Sequence, residues 1–187
     1  MTHPRTYLDY NASAPLRAEA RAAMVAAMDA LGNPSSVHAE GRTVRSIVER
    51  AREEVAQLVN ASPSEVVFTS GATEANNCVM AAGWDEICVS AIEHASVLAP
   101  AQRAGARLAS LSVASNGVVD MDATSALLER ARARSARVLV SLMAASNETG
   151  VIQPVAEAAR LAHAKGALVH CDAVQAAGKL PIDMAAQ

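Results

Sequence analysis

Aromatic residues are scarce in this chain of 187 residues, at 2% of the composition, and alanine dominates the apolar residues. A core built largely from alanine buries less apolar area per residue, so its margin of stability is expected to be thin. No apolar run approaches the roughly 18 residues that a membrane-spanning helix needs. The N-terminal letters MTHPRTYLDYNASAP lack the apolar segment of a secretory signal. The length and composition therefore predict one sizeable globular core and no membrane partner.

Charge, cysteine usage and missing motifs exclude further classes of function. The net charge is −3, and no basic block interleaved with aromatics points to nucleic acid. The cysteines, Cys78, Cys88 and Cys171, lack the spacing of metal ligands, so we expect thiols in a reducing cytoplasm and no metal site. There is no G-x-G-x-x-G, and AVQAAGKL lacks the first glycine and the Ser/Thr of a P-loop.

The first 60 residues predict two helices. Apolar residues recur at three- and four-residue spacing over 17–31 and again over 42–59. The polar letters GNPSSVHAEG predict a loop between them. We interpret residues 1–60 as an N-terminal segment with two outer helices, and residues 61–187 as an α/β domain.

Short apolar runs alternate with helical patterns after residue 60. Strands are predicted at 66–69, 86–90, 108–113, 138–143 and 167–171. Helices are predicted at 73–82, 96–104, 122–134 and 155–165, with Gly166 in a C-cap position. This alternation is typical of a mostly parallel sheet with helices on both faces.

Polar residues cluster where these predicted strands end. Ligands of open α/β sheets collect at the carboxyl ends of the strands, so the clusters are expected to meet at one edge. In chain order they are Ser70–Glu74, Glu93 with His94, Asn147 with Glu148, and Asp172 with Gln175.

The first cluster has the features of a phosphate site. Gly71 and Ala72 let an anion approach the backbone, and Thr73 adds a hydroxyl. A helix that starts there offers unpaired N–H groups and the positive end of its dipole. The alternative is an ordinary N-cap by Ser70 or Thr73, with Glu74 in the first turn.

The other clusters also have structural alternatives. Asp172 lies at the mouth of the sheet, where a carboxylate needs a cation or hydrogen-bond donors, but a helix N-cap or a salt bridge explains it equally well. His94 alone is more often structural than catalytic, and Asn147 could cap a turn.

Taken together, the clusters fit pyridoxal phosphate (PLP). Residues 71–73 suit its phosphate, and the His94 ring can stack on the pyridine. Asp172 can keep the ring nitrogen protonated, which makes the ring an electron sink. Asn147 and Gln175 can donate to the phenolic oxygen.

Six stretches of the chain resemble the N-terminal half of the class V aminotransferases, specifically the cysteine desulfurases of the NifS and IscS type. They are YLDYNASAPL, GNPSSVHAEGR, VVFTSGATEANN, IEHASV, NETGVIQPV and HCDAVQAAGKLPID, in the family's order. The resemblance implies a fold type I PLP enzyme, here an incomplete large domain. The implied reaction takes sulfur from L-cysteine, leaves L-alanine and forms an enzyme persulfide for iron–sulfur cluster or thio-cofactor assembly.

The resemblance also implies residue roles and partners. Ala72 and Thr73 look like the family's phosphate-binding pair, and His94 like its ring-stacking and acid/base histidine. Asn147 and Gln175 look like the donors to the phenolic oxygen, and Asp172 like the partner of the ring nitrogen. A homodimer and sulfur-accepting or scaffold proteins are implied partners. Selenocysteine lyase, another class V PLP enzyme, or a non-catalytic fragment are the alternatives.

Two catalytic groups of the family lack a counterpart in these 187 residues. The family's Schiff-base lysine lies in a Ser-x-His-Lys motif, and neither Lys165 nor Lys179 matches it. None of the three cysteines matches the sulfur-accepting loop, and the family's last strands and small C-terminal domain are missing. Since the lysine is the base that moves the substrate's Cα proton, we expect the chain alone to be inactive.

Overall fold

The computed structural model describes residues 5–186, and the chain forms two compact units that divide between Val66 and Val67. The first unit contains helices α1 (Ala18–Met28) and α2 (Ala39–Leu58), followed by the 3₁₀ turn Pro63–Glu65. Both predicted helices of this unit are therefore confirmed. Among residues 5–186, no helix is both long and apolar enough to cross a bilayer.

The two helices depart from their apolar patterns in different ways. Helix α2 begins three residues earlier than predicted because the His38 ring caps it, with Nδ1 accepting from the Gly41 N–H at 3.3 Å. Helix α1 has the predicted spacing, but within the described chain none of its residues is buried. Met28, for example, is 76% exposed. Apolar spacing thus predicted the helix correctly without predicting a buried face.

The second unit is an α/β sheet. Its helices are α3 (Ala72–Met80), α4 (Ala95–Arg103), α5 (Met121–Arg134) and α6 (Val155–Ala164). Its strands are β1 (Glu86–Ser90), β2 (Arg107–Leu111), β3 (Val138–Ser141) and β4 (Leu168–His170), and a 3₁₀ turn, Met184–Ala186, follows. The strand order is β2-β1-β3-β4, and every neighbouring pair is parallel. Gly166 follows α6 with φ 69°, so the predicted glycine stop is confirmed.

Alternating side chains of the central strands enter two separate clusters. Cys88 and Val140 pack with apolar residues of α5 and α6. Ile87 and Leu139 pack with residues of α3 and α4. Because successive side chains of a strand point to opposite faces, helices cover both faces of the sheet, as predicted.

The predicted strand at 66–69 is wrong, so the described sheet has four strands and not five. Val67 is 81% exposed and Phe68 is 48% exposed. A strand exists only where a neighbouring backbone completes its hydrogen-bond ladder, and β-branched composition alone does not supply that neighbour.

The strand order creates a topological switch point between β1 and β3. From β1 the chain runs to β2 on one side, and β3 then lies on the other side of β1. In open α/β sheets, ligands bind in the crevice outside the carboxyl ends of strands at such a point. The segments after Ser90 and Ser141 therefore frame the expected site.

Candidate functional site

The N-terminus of helix α3 is open. Gly71 is its N-cap residue, and no side chain caps the helix there. The Gly71 carbonyl accepts from the N–H groups of Glu74 and Ala75, at 3.1 and 3.2 Å. Within residues 5–186, the N–H groups of Ala72 and Thr73 make no hydrogen bond. They are the donors at the positive end of the helix dipole.

The alternative of a Ser70 or Thr73 N-cap is wrong. Instead, the Glu74 carboxylate reaches back and accepts from the Ser70 N–H at 2.6 Å. Hydrogen bonds from Ser70 hold the pKa of Glu74 below its usual value. The carboxylate therefore satisfies a donor before the helix and leaves the first helical donors open.

Gly71 faces open space. Its backbone is extended, with φ 165° and ψ 176°, a conformation that any residue adopts. A Cβ added to Gly71 would meet no atom within 4 Å. Neither strain nor packing in the described chain requires glycine here, so the space beside the Ala72 and Thr73 donors fits an anionic group that approaches the backbone.

Asp172 follows β4 and its carboxylate is held by two donors. Oδ1 accepts from the Val174 N–H at 3.1 Å, and Oδ2 accepts from Asn76 Nδ2 at 2.9 Å. Asn76 lies one turn beyond the open end of α3 and is 3% exposed. Within residues 5–186, the salt-bridge alternative for Asp172 finds no support, whereas its bond to Val174 is that of a turn cap.

His94 lies at the start of α4 and is linked to Asp172. His94 Nδ1 accepts from the Ser96 N–H at 3.1 Å and lies 2.8 Å from Ser96 Oγ. Asn76 Nδ2 donates to Ser96 Oγ at 3.0 Å as well as to Asp172. One hydrogen-bonded chain of side chains, Asp172–Asn76–Ser96–His94, therefore spans the carboxyl edge of the sheet.

His170 supports this chain from β4. Its Nε2 lies 3.0 Å from Asn76 Oδ1, and its Nδ1 lies 2.9 Å from Ser141 Oγ. Burial lowers the pKa of His170, and the nearby Asp172 partly opposes that shift. The partly buried ring therefore links β3 to α3 by two hydrogen bonds.

Asn147 and Gln175 lie in the turns that follow β3 and β4. Asn147 Nδ2 donates to Glu148 Oε1 at 2.9 Å. Gln175 Oε1 accepts from Lys179 Nζ at 2.9 Å. The structure thus places both at the carboxyl edge of the sheet, where these bonds tie them to near neighbours in the chain.

Sequence reasoning missed Asn76, Ser96 and His170. Asn76 and Ser96 lie inside the quoted stretches SGATEANN and IEHASV, and His170 lies inside HCDAVQ. Their chemistry appears only when α3, α4 and β4 come together, because each bonds to a residue distant in sequence. The one local signal was a polar residue at a buried helix position, Asn76.

Glu93 is a buried carboxyl at the switch point. It is 6% exposed, and its Oε1 accepts from the Met143 N–H at 2.5 Å. Among the described residues its Oε2 is the buried side-chain oxygen without a hydrogen-bond partner. Burial raises the pKa of Glu93 to about 7, and the negative charge of Asp172 adds to the shift. Glu93 thus joins the His94 segment to the end of β3 while remaining largely protonated below neutral pH.

Glu93→Gln is expected to flatten the pH dependence of stability. The pKa of Glu93 is about 7 in the folded chain and 4.5 when unperturbed. The stability that the neutral carboxyl provides is therefore complete below pH 4.5 and is lost as the pH rises through 7, by about 3 kcal/mol. Urea unfolding at pH 5 and pH 8 measures this loss. Glu93→Gln is expected to abolish this loss of stability. The control is Glu157→Gln, at an exposed position, which should retain the loss. If Glu93→Gln loses as much stability as the wild type, ionisation of Glu93 is not its cause.

Lys165 and two of the cysteines are poorly suited to chemistry at the carboxyl edge of the sheet. Lys165 Nζ bonds to Glu129 at 2.7 Å, at the amino end of β4 and opposite Asp172. Burial raises the pKa of both Cys88 and Cys171 to about 12, so neither is a ready thiolate. In the part of the chain that is described, no group of three or more His, Cys, Asp or Glu side chains could hold a metal ion.

Comparison with known proteins identifies relatives over nearly the whole chain. The family model described as Aminotransferase class-V matches residues 6–187. A cysteine desulfurase of Cereibacter sphaeroides is 42% identical, over 95% of this chain and 48% of its own length. Cysteine desulfurase IscS of Dictyoglomus turgidum is 36% identical, over 95% of this chain and 47% of its own length.

A solved structure agrees with these relatives. The NifS-like protein from Rickettsia africae superposes with a TM-score of 0.87 at 34% identity, covering 96% of this chain and 51% of that protein. The chain thus spans about half the length of the relatives that it matches, and its sheet corresponds to part of their fold. Since the family model covers all but the first five residues, the chain belongs to the class-V aminotransferase family.

Proposed function

We propose that this chain is the PLP-binding part of a cysteine desulfurase. The observation that carries the proposal is the dual role of helix α3. Its open N-terminus offers the donors of Ala72 and Thr73, and one turn later Asn76 binds the Asp172 carboxylate. An anion site at the start of α3, and a carboxylate after β4 that is oriented by a residue of the same helix, suit a ligand with a phosphate at one end and a basic ring nitrogen at the other.

Each site residue has a distinct proposed role. Gly71, Ala72 and Thr73 bind the phosphate, and Asp172 holds a proton at the ring nitrogen. His94 stacks on the ring and can move a proton near the substrate. Asn147 and Gln175 donate to the phenolic oxygen. Bound PLP supplies the electron sink for the reaction, and the protein supplies its position and charge.

The proposed substrate is L-cysteine, and the products are L-alanine and a persulfide on an enzyme cysteine. The names of the relatives support this assignment. Iron–sulfur cluster or thio-cofactor assembly is the proposed destination of the sulfur, with a homodimer and sulfur-accepting proteins as partners. The free thiols Cys78, Cys88 and Cys171 support a reducing compartment such as the cytoplasm. Selenocysteine lyase chemistry is the alternative for the same site.

The 187-residue chain is proposed to bind the cofactor without turnover. Lys165 is paired with Glu129 on the far side of β4, and Lys179 is bonded to Gln175. The buried thiol of Cys88 and the partly buried thiol of Cys171 are poor sulfur acceptors because their pKa is raised. Within this proposal, residues 1–60 are the N-terminal segment and residues 61–187 the PLP-binding domain.

A PLP titration tests the proposal. The wild-type chain is expected to bind PLP with a saturable change in absorbance and fluorescence. Thr73→Val, which keeps the side-chain shape and removes the hydroxyl, is expected to weaken binding about 10-fold, the value of one good hydrogen bond. Thr43→Val on α2 is the matched control and should bind as the wild type does. Absence of binding by the wild-type chain rejects the proposed function, and unchanged affinity of Thr73→Val rejects the phosphate role of Thr73.

A further inference from the structure

We propose that Asn76 is a positioning residue that sets the direction of the hydrogen bonds between Asp172 and His94. The inference rests on the proposed function, because it concerns how two groups of that site are held. Asn76 itself is buried beneath the site, at 3% exposure, so it acts through its neighbours.

The orientation of the Asn76 amide follows from its partners. A carboxylate only accepts hydrogen bonds, so the amide nitrogen and not the oxygen faces Asp172. The two N–H groups of Asn76 go to Asp172 Oδ2 and Ser96 Oγ, at 2.9 and 3.0 Å. The amide oxygen is left to accept from His170 Nε2 at 3.0 Å. Both amide hydrogens are therefore used, and rotation of the amide would break all three bonds.

The Asn76 orientation fixes the Ser96 hydroxyl. Ser96 Oγ accepts from Asn76, so its own hydrogen is available for His94 Nδ1, 2.8 Å away. The Ser96 N–H also donates to Nδ1, at 3.1 Å. With two donors on Nδ1, the proton of the neutral His94 ring lies on Nε2.

The two donors to Nδ1 give each ring nitrogen of His94 a defined role. Its Nδ1 is tied to the start of α4, and its Nε2–H is the group that can donate to a substrate atom. Aspartate in place of Asn76 has nearly the same shape but no N–H donor. The Ser96 hydroxyl would then turn toward the new carboxylate, and its oxygen would accept from a protonated His94.

Nitrogen-15 NMR titration of the histidine rings in the 187-residue chain, without cofactor, tests the proposal. Asn76→Asp is expected to raise the His94 titration midpoint by about one pH unit or more, because the carboxylate acts through Ser96 to favour the protonated ring. Adding Ser96→Ala is expected to return the midpoint to that of Ser96→Ala alone. The exposed His163 on α6 is the internal control, and its midpoint should not change.

The Ser96→Ala variant keeps the test decisive if Asn76→Asp does not fold. It removes one donor to Nδ1, so the His94 Nδ1 resonance should shift and the midpoint should rise slightly. The proposal is overturned by an unchanged Nδ1 resonance in Ser96→Ala. It is also overturned if Asn76→Asp leaves the His94 midpoint unchanged, or if its full rise persists in the double variant.

A separate PLP titration distinguishes this proposal from the function on which it rests. A wild-type chain that shows the expected histidine shifts on substitution but binds no PLP retains the positioning role and rejects the PLP site. A chain that binds PLP without those shifts supports the PLP site and rejects the role of Asn76.

Discussion

Asp172→Ala is expected to lower the affinity of the chain for PLP by about 100-fold, the value of a hydrogen bond to a charged group. Two donors, the Val174 N–H and Asn76 Nδ2, hold this carboxylate at the carboxyl edge of the sheet. The Asp172 carboxylate is therefore oriented before a ligand binds. Little conformational entropy would be lost on binding to offset its proposed hydrogen bond with the ring N–H of PLP.

A second variant of Asp172 separates the charge of the side chain from its shape. Asp172→Asn keeps the size of the side chain and should weaken PLP binding by about 10-fold, since a neutral oxygen is a weaker acceptor. Asp120→Ala is the control, because Asp120 caps α5 by accepting from the Ala123 N–H at 2.9 Å. That change should lower stability and leave PLP affinity unchanged. Wild-type affinity in Asp172→Ala contradicts the proposed role, as does equal loss in the control.

Arg134→Ala is expected to be strongly destabilising because it leaves the Glu86 carboxylate buried without its cation. Glu86 begins β1 and is 0% exposed. Arg134 at the end of α5 donates to both of its oxygens, Nη2 to Oε1 at 2.5 Å and Nε to Oε2 at 3.0 Å. Ser135 Oγ also donates to Oε2 at 3.0 Å. A buried Glu86 carboxylate stripped of its partner costs about 3–5 kcal/mol, measurable by urea unfolding.

The reverse substitution should cost less. In Glu86→Ala the freed Arg134 side chain, 39% exposed, can turn into water. Replacing both residues by leucine should recover much of the stability, because no uncompensated charge remains. Arg130→Ala, at an exposed position on the same helix, is the control and should change little. Equal losses from Arg134→Ala and Glu86→Ala would contradict this asymmetry.

The secondary structure of the second unit was largely predictable. Strand β1 has the predicted bounds, because a short apolar run flanked by polar residues is a strong local signal. Helices α3 to α6 begin at or one residue before their predicted starts. The segment 66–69 has an equally apolar pattern, yet no partner strand pairs with it in the described chain. Local pattern thus predicts the tendency to form a strand but not the presence of the neighbour that completes it.

The sequence predicts the candidate site residues one by one but not the hydrogen-bonded network that joins some of them. The rule that ligands collect at strand ends pointed to Thr73, His94 and Asp172. No local pattern pointed to Asn76 as the connection between Asp172 and His94, since Asp172 and Ser96, to which it donates, are 96 and 20 residues away in sequence. Glu93 stood out only as a neighbour of His94. Its raised pKa arises from its burial in the folded chain and from the charge of Asp172, and the hydrogen bond from the Met143 N–H partly opposes that shift.

The sequence by itself determined the order of helices and strands, the polar character of the carboxyl edge and the family resemblance. These follow from residue spacing and short motifs, which act over a few residues of chain. The tertiary structure alone decided that β1 and β3 are neighbours, that 66–69 forms no strand, and that Asp172 and His94 share one network. Parallel strands are joined by helical crossovers, so the residues that make these contacts lie far apart in sequence. A pattern over a few residues of chain therefore cannot predict them.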